Sequence, residues 1–185
     1  MLSPLIGIIA SSGGAAAASN AYFSIATTTL SSTASSVTFS SIPSTYTHLQ
    51  IRAINATTTL DDDIELRLNS DTASNYSAHR LRGNGTAASS DASANVTQIE
   101  IGRSPAASSA FGPFVCDILE YTNTNIYKTV RSLFGSDGNG SGWIMLGSGN
   151  WRSTSAVTTI NIRPSTGGNT FTSGSSFALY GIKGA

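Results

Sequence analysis

Hydrophobic and polar residues alternate along most of the chain from Tyr22 onward, and the period is two rather than 3.6. Ile64, Leu66 and Leu68 alternate with polar or charged neighbours, which predicts a half-buried strand with one face in water. Residues 49–53 follow the same pattern. No segment carries an amphipathic stripe of helical length with capping residues at its ends, so we expect little helix.

Two further segments, residues 114–121 and 143–146, are apolar at consecutive positions and therefore on both faces of a strand. Strands of this kind lie in the middle of a sandwich or at an interface. The remaining predicted strands are residues 22–30, 37–42, 76–82, 96–101, 127–134, 157–162 and 177–182.

Clusters of Gly, Asn, Asp and Ser separate the predicted strands, as is usual for tight turns. About ten short strands joined in this way predict an all-β fold, an antiparallel β-sandwich of jelly-roll type. An immunoglobulin-like sandwich is the alternative, but the chain lacks the cysteine pair of that fold. We assign residues 21–185 to the sandwich domain, and the Gly- and Ala-rich residues 1–20 to an extended N-terminal arm.

Composition narrows the classes of function. Of the 185 residues, 39% are hydrophobic and only 11% are charged, and the net charge is zero. Nucleic acid is therefore not an expected partner, because the electrostatic attraction that supplies most non-specific affinity is missing. No run approaches the roughly 20 apolar residues of a membrane span, so membrane insertion is not expected either. The chain start lacks the basic residues of a signal peptide, and we expect no cleaved signal.

The candidate catalytic residues are few. His48 and His79 are the only histidines, and no G-x-S-x-G motif marks a nucleophile, so we expect a protein that is not an enzyme. A hydrolase built on either histidine is the competing hypothesis. Cys116 lies in an apolar run and is expected to be a buried structural thiol.

Two acidic segments resemble cation sites. Asp61, Asp62 and Asp63 form the only acidic run, and the segment 137–142 begins like a calcium-binding EF-hand loop. The loop lacks the glutamate at its twelfth position, which here is Ser148, so a hairpin turn is the expected structure. A solvated loop explains the acidic run equally well. We therefore expect no metal and no cofactor.

Trp143 and Trp151 form a candidate glycan contact, because an aromatic ring packs well against the apolar face of a sugar. Packing in the core or at an interface is the commoner use of tryptophan in a sandwich. A carbohydrate-binding module that uses these two residues, for instance on host-surface glycans, is thus one alternative function.

Five stretches of the body resemble small structural proteins of tailed bacteriophages of aquatic bacteria. They are SSIPSTYTHLQIRAI, NSDTASNYSAHRLRGNG, YTNTNIYKTVRSLFG, GNWRSTSAVTTINI and SSFALYGIKG, at residues 40–54, 69–85, 121–135, 149–162 and 175–184. They cover a little under 40% of the chain and include no catalytic motif. The resemblance implies a component of the virion, in the tail and fibre region or as a decoration (cement) protein on the capsid, with a β-sandwich body in repeated copies.

The sequence is consistent with that expectation in two respects. Strands that are apolar on both faces need more partner surface than one sandwich supplies, so we expect a homo-oligomer, with a trimer as the expected state. In the arm, Leu5, Ile6, Ile8 and Ile9 form a small apolar patch, which we expect to bind other virion proteins.

Overall fold

The computed structural model describes residues 21–105, 109–137 and 139–184, and every regular element in these ranges is a β-strand. The strands are β1 (Tyr22–Thr29), β2 (Val37–Phe39), β3 (His48–Asn55), β4 (Asp63–Leu68), β5 (Tyr76–Gly83), β6 (Ala88–Val96), β7 (Ile99–Arg103), β8 (Gly112–Leu119), β9 (Lys128–Asp137), β10 (Gly142–Trp151), β11 (Ile160–Pro164) and β12 (Ser176–Ile182).

The strands form two antiparallel sheets of unequal size. The large sheet has eight strands in the order β1-β12-β3-β8-β9-β10-β5-β6, and the small sheet has four in the order β2-β11-β4-β7. Strand β7 of the small sheet contacts β5, β8, β9 and β10 of the large one. The molecule is thus a β-sandwich in which one face of the large sheet covers the small sheet and the other face points outward.

The core lies between the two sheets and follows from the alternation in the sequence. Along β9, for example, Val130 and Phe134 are buried while the residues between them are exposed. A cluster of three phenylalanine rings, Phe114, Phe171 and Phe177, fills one part of the core, with ring centroids 4.9 and 6.5 Å apart. Each such side chain contributes about 1.5–3 kcal/mol on burial.

The prediction of an all-β sandwich is confirmed, and most predicted strands are present within a few residues of their expected bounds. Strand β6 was not predicted. Its sequence, ASSDASANV, has no apolar alternation, because the strand is a largely exposed sheet edge that pairs with β5. The expected hairpin at residues 137–142 is present, since Gly142 pairs with Asp137 across the β9–β10 turn.

Candidate docking surface

A row of apolar side chains crosses the outward face of the large sheet. In the strand registers Val115, Leu133, Leu146 and Leu81 are direct neighbours on β8, β9, β10 and β5. All four side chains project away from the small sheet. On β8, β9 and β10 their neighbours along the strand are buried, and on β5 the neighbours of Leu81, Arg80 and Arg82, bind Glu100 of the small sheet. They are between 38% and 54% exposed. Four adjacent strands therefore present an unbroken apolar row to solvent.

A second row lies beside the first. Ile144 of β10 is the most exposed apolar residue of the sheet, at 59%, and glycines flank it on both sides, Gly135 on β9 and Gly83 on β5. The second row also includes Pro113 of β8 and Ile54 of β3, which pair with each other. We call these two rows the apolar face; its members are Ile54, Leu81, Ala88, Pro113, Val115, Leu133, Ile144 and Leu146.

Polar side chains border the apolar face along one side and hold one another in place. Arg131 of β9 forms an ion pair with Asp117 of β8 at 3.0 Å. Asp117 also accepts a hydrogen bond from the Gln50 side chain at 2.8 Å, and Gln50 in turn accepts one from Arg52. The Arg52 guanidinium lies over the ring of Tyr180, 5.3 Å from its centroid. The border is thus an ordered polar rim beside an apolar centre.

A groove of about 580 Å³ runs where the rim meets the apolar face, lined among others by Leu81, Leu146, Ser148, His79 and Arg131. Its floor is apolar and its polar groups stand on one side. Contiguous apolar patches of several hundred Å² on a protein surface usually mark interaction sites.

At the β5–β6 end of the large sheet the usual polarity of a sandwich is reversed. On the face that points toward the small sheet, Arg80 and Arg82 both donate hydrogen bonds to Glu100 of β7, and Arg80 also pairs with Asp91 of β6 at 2.6 Å. Burial, with the nearby charge of Asp63, raises the pKa of Glu100 above its usual range. The side chains of Arg80, Arg82 and Glu100 therefore lie on the side of the small sheet, and Leu81 lies outside.

The two tryptophans lie at opposite ends of β10 and do not form one platform. Trp151 is 2% exposed; its ring stacks on Tyr76, and its Nε1 donates to Asp71 at 2.7 Å. Trp143 is half-buried, with the Arg103 guanidinium 4.7 Å from its ring centroid. Both rings have a packing role in the described structure.

The two histidines are far apart. Strands β3 and β5 are four positions apart in the sheet, which places His48 and His79 roughly 19 Å from each other at the usual strand spacing. His48 Nδ1 accepts a hydrogen bond from the backbone N–H of Glu120 at 3.0 Å. His79 is exposed beside the groove. Cys116 is fully buried, and burial raises the pKa of its thiol.

The three aspartates of the acidic run have different partners. Asp61 forms an ion pair with Arg103 at 2.6 Å, and Asp63 is 3.4 Å from the same guanidinium. Asp62 is buried and accepts hydrogen bonds from Ser165, Thr166 and Asn169. Within residues 21–105, 109–137 and 139–184, no group of three or more His, Cys, Asp or Glu side chains is arranged to hold a metal ion.

At the second acidic segment, Asp137 accepts a hydrogen bond from the backbone N–H of Asn139, which is a turn contact. Gly138 is outside the described residues, as are the arm residues Leu5, Ile6, Ile8 and Ile9. In the described part of the chain no helix is long and apolar enough to cross a membrane.

Comparisons of the chain with family models, with curated proteins and with solved structures give no match. Its function must therefore be argued from its own surface and sequence.

Proposed function

We propose that the chain is a non-enzymatic structural subunit of a tailed-bacteriophage virion, in the tail and fibre region, and that it works as a homo-oligomer. The jelly-roll type of the sandwich and the attachment arm at residues 1–20 belong to the same proposal. In this proposal the sandwich body contacts sister subunits, and the arm binds other virion proteins.

The apolar face is the observation that carries the proposal. As a monomer, the chain would expose four neighbouring apolar side chains on one sheet, while charged side chains lie between its sheets. An apolar surface of this kind is normally buried in an interface. A second copy of the chain can cover such a face, because most soluble oligomers are symmetric assemblies of identical subunits. The five stretches that resemble phage structural proteins are the reason for assigning this assembly to a virion.

Mass spectrometry of purified particles from the phage that encodes the chain tests whether the chain is a component of the virion. We expect the chain in many copies per particle. We also expect a chain that begins at Asn20 to melt within a few degrees of the full chain and yet to be missing from particles. A full chain absent from particles contradicts the virion assignment, and normal incorporation of the shortened chain contradicts the role of the arm.

Substitution of the histidines tests the non-enzymatic part. His48→Ala and His79→Ala should each change stability modestly and remove no activity, because the two histidines are on strands four positions apart in the sheet and His48 Nδ1 already accepts a hydrogen bond from the backbone N–H of Glu120. A hydrolytic turnover of the wild-type chain that either variant abolishes would overturn this part of the proposal.

A further inference from the structure

We propose that the apolar face is covered by a second copy of the chain, in a face-to-face dimer whose two-fold axis runs parallel to the strands between β9 and β10. The inference rests on the proposed function, because it specifies which surface the subunits share and how they are related.

The apolar row is centred on the boundary between β9 and β10. Two of its leucines, Leu133 and Leu146, are on these strands, and Val115 and Leu81 follow at equal distances on β8 and β5. A two-fold axis at this boundary places β9 opposite the partner's β10 and β8 opposite the partner's β5. Leu133 then packs against the partner's Leu146, and Val115 against the partner's Leu81.

The second row supports the same axis through the sizes of its residues. Ile144 comes to lie opposite the partner's Gly135, where a side chain is missing. Ile54, at the far end of the row, comes to lie opposite the partner's Ala88. Large residues thus meet small ones, as required when two sheets pack about 10 Å apart.

The polar rim is compatible with this arrangement as well. Asp117 comes to lie opposite the partner's His79, and Arg131 opposite the partner's Ser148. The ion pair with Asp117 draws the Arg131 guanidinium toward β8 and so away from the axis, where the two copies of Arg131 would otherwise approach each other. Arg52 of β3, which is in register with Val115 at the end of the apolar row, comes to lie opposite the partner's Ser90.

The outward face of the large sheet, and not the apolar face alone, is large enough for a stable dimer. Six strands at about 4.8 Å spacing, each contributing about five residues, give the apolar face and its border roughly 480 Å² in projection. At about eight residues a strand, the whole outward face of the eight strands is roughly 1,000 Å² in projection, and a standard interface buries about 800 Å² on each partner.

A dimer of this kind differs from the trimer expected from the sequence. A three-fold ring joins two different surfaces of each subunit, so it needs a second surface that matches the apolar face. The other exposed large apolar residues of residues 21–105, 109–137 and 139–184 are on loops or at the start of β1, and they are Tyr22, Leu60, Phe111, Ile126 and Tyr127.

Sedimentation of substituted full-length chains tests which surface is used. Leu133→Asp places a charge at the centre of the face, and we expect it to weaken dimerisation about a hundredfold or more. Ile126→Asp is the matched control, because Ile126 is also exposed, at 45% against 54% for Leu133, but lies on a loop outside the strands, and it should leave the dimer intact. Both side chains are exposed, so near-UV circular dichroism should show a native fold in each.

Cross-linking between single cysteines tests the axis without disturbing the fold. With a bis-maleimide that spans the about 10 Å between packed sheets, a chain carrying both Val115→Cys and Leu81→Cys should form covalent dimers. Either substitution alone should not, because Val115 lies three strands to the side of the partner's Val115. The native Cys116 is fully buried, so the wild-type chain should not react with the cross-linker and serves as the negative control.

Each other outcome overturns a distinct statement. Covalent dimers from Val115→Cys alone mean that the axis runs across the strands. A wild-type oligomer that Leu133→Asp leaves intact means that another surface is used, although self-association, and with it the proposed function, stands. A chain beginning at Asn20 that is monomeric, when the full chain is not, means that the copies associate through the arm and not through the apolar face. A wild-type monomer at micromolar concentration overturns both the inference and the proposed self-association.

Discussion

At the scale of single residues, a missing side chain lets the two sheets approach each other. A Cβ atom on Gly149 of β10 would lie 2.5 Å from Cγ2 of Ile99 on β7, and two more atoms of Ile99 would be within 3 Å. Ile99 is buried and lies on the inner face of the small sheet, so it has little room to move. Gly149 therefore sets how closely β7 packs on the large sheet.

We expect Gly149→Ala to lower the free energy of unfolding by about 1–3 kcal/mol, because the added methyl group overpacks this contact. Chemical denaturation of the variant measures the change. Gly167→Ala is the control, since a Cβ there meets nothing within 4 Å and its φ is not in the left-handed region. Equal stabilities of the two variants would show that the sheets are not in close contact at this point.

At the scale of elements, the β5–β6 hairpin is attached to the small sheet by charge. Arg80 and Arg82 of β5 converge on Glu100 of β7, whose side chain is almost fully buried. Burial also raises the pKa of Glu65 and of Asp63 in the neighbouring strand β4. Three carboxyl groups with raised pKa thus lie along the junction between the hairpin and the small sheet.

These groups predict that the protein is more stable on the acid side of neutrality. Between its unfolded and folded pKa values, a carboxyl whose pKa is raised by folding holds a proton that the unfolded chain has released. Its contribution to the free energy of unfolding is therefore complete below the ordinary glutamate pKa of 4.5 and is lost as the pH rises through the folded pKa. The thermal midpoint should therefore rise as the pH is lowered from neutrality toward 4.5. In Glu100→Gln, which cannot titrate at this position, the rise should be smaller.

Below this range the direction should reverse. Burial disfavours the ionised form of Asp62, but hydrogen bonds from Asn169, Ser165 and Thr166 outweigh that effect and hold its pKa below the usual 3.8. A carboxyl of this kind stabilises the fold until the pH falls through its own pKa. A thermal midpoint that is highest at neutrality and falls steadily with acid would contradict the assignment of raised pKa values at the junction.

The part of the fold that the sequence predicts is the part governed by alternation. Residues 114–121 and 143–146 read as apolar on both faces, and the structure places exposed Val115, Ile144 and Leu146 there. Leu81 and Leu133 carried no such signal, because each lies in a strand in which polar and apolar residues are mixed. They join the apolar face only through the strand order, which depends on pairings between residues far apart in the sequence.

At the scale of the whole molecule, the proposed dimer would couple folding to assembly through the outward apolar face. If copies cover this face on each other, the folded state is favoured by mass action, and its stability depends on the protein concentration. We expect the thermal midpoint to rise over a hundredfold increase in concentration, and Leu133→Asp to abolish the dependence. A midpoint that is independent of concentration in the wild-type chain would argue against coupled assembly.

The most direct measurement of the central claim is sedimentation equilibrium of the unmodified full-length chain at micromolar concentration. The apolar face predicts a dimer that persists at high salt and tightens in sulfate, because burial of apolar surface is strengthened by excluded salts whereas ion pairs are screened. A species of 19.0 kDa at all concentrations, or an oligomer that dissociates as salt is added, would contradict the account.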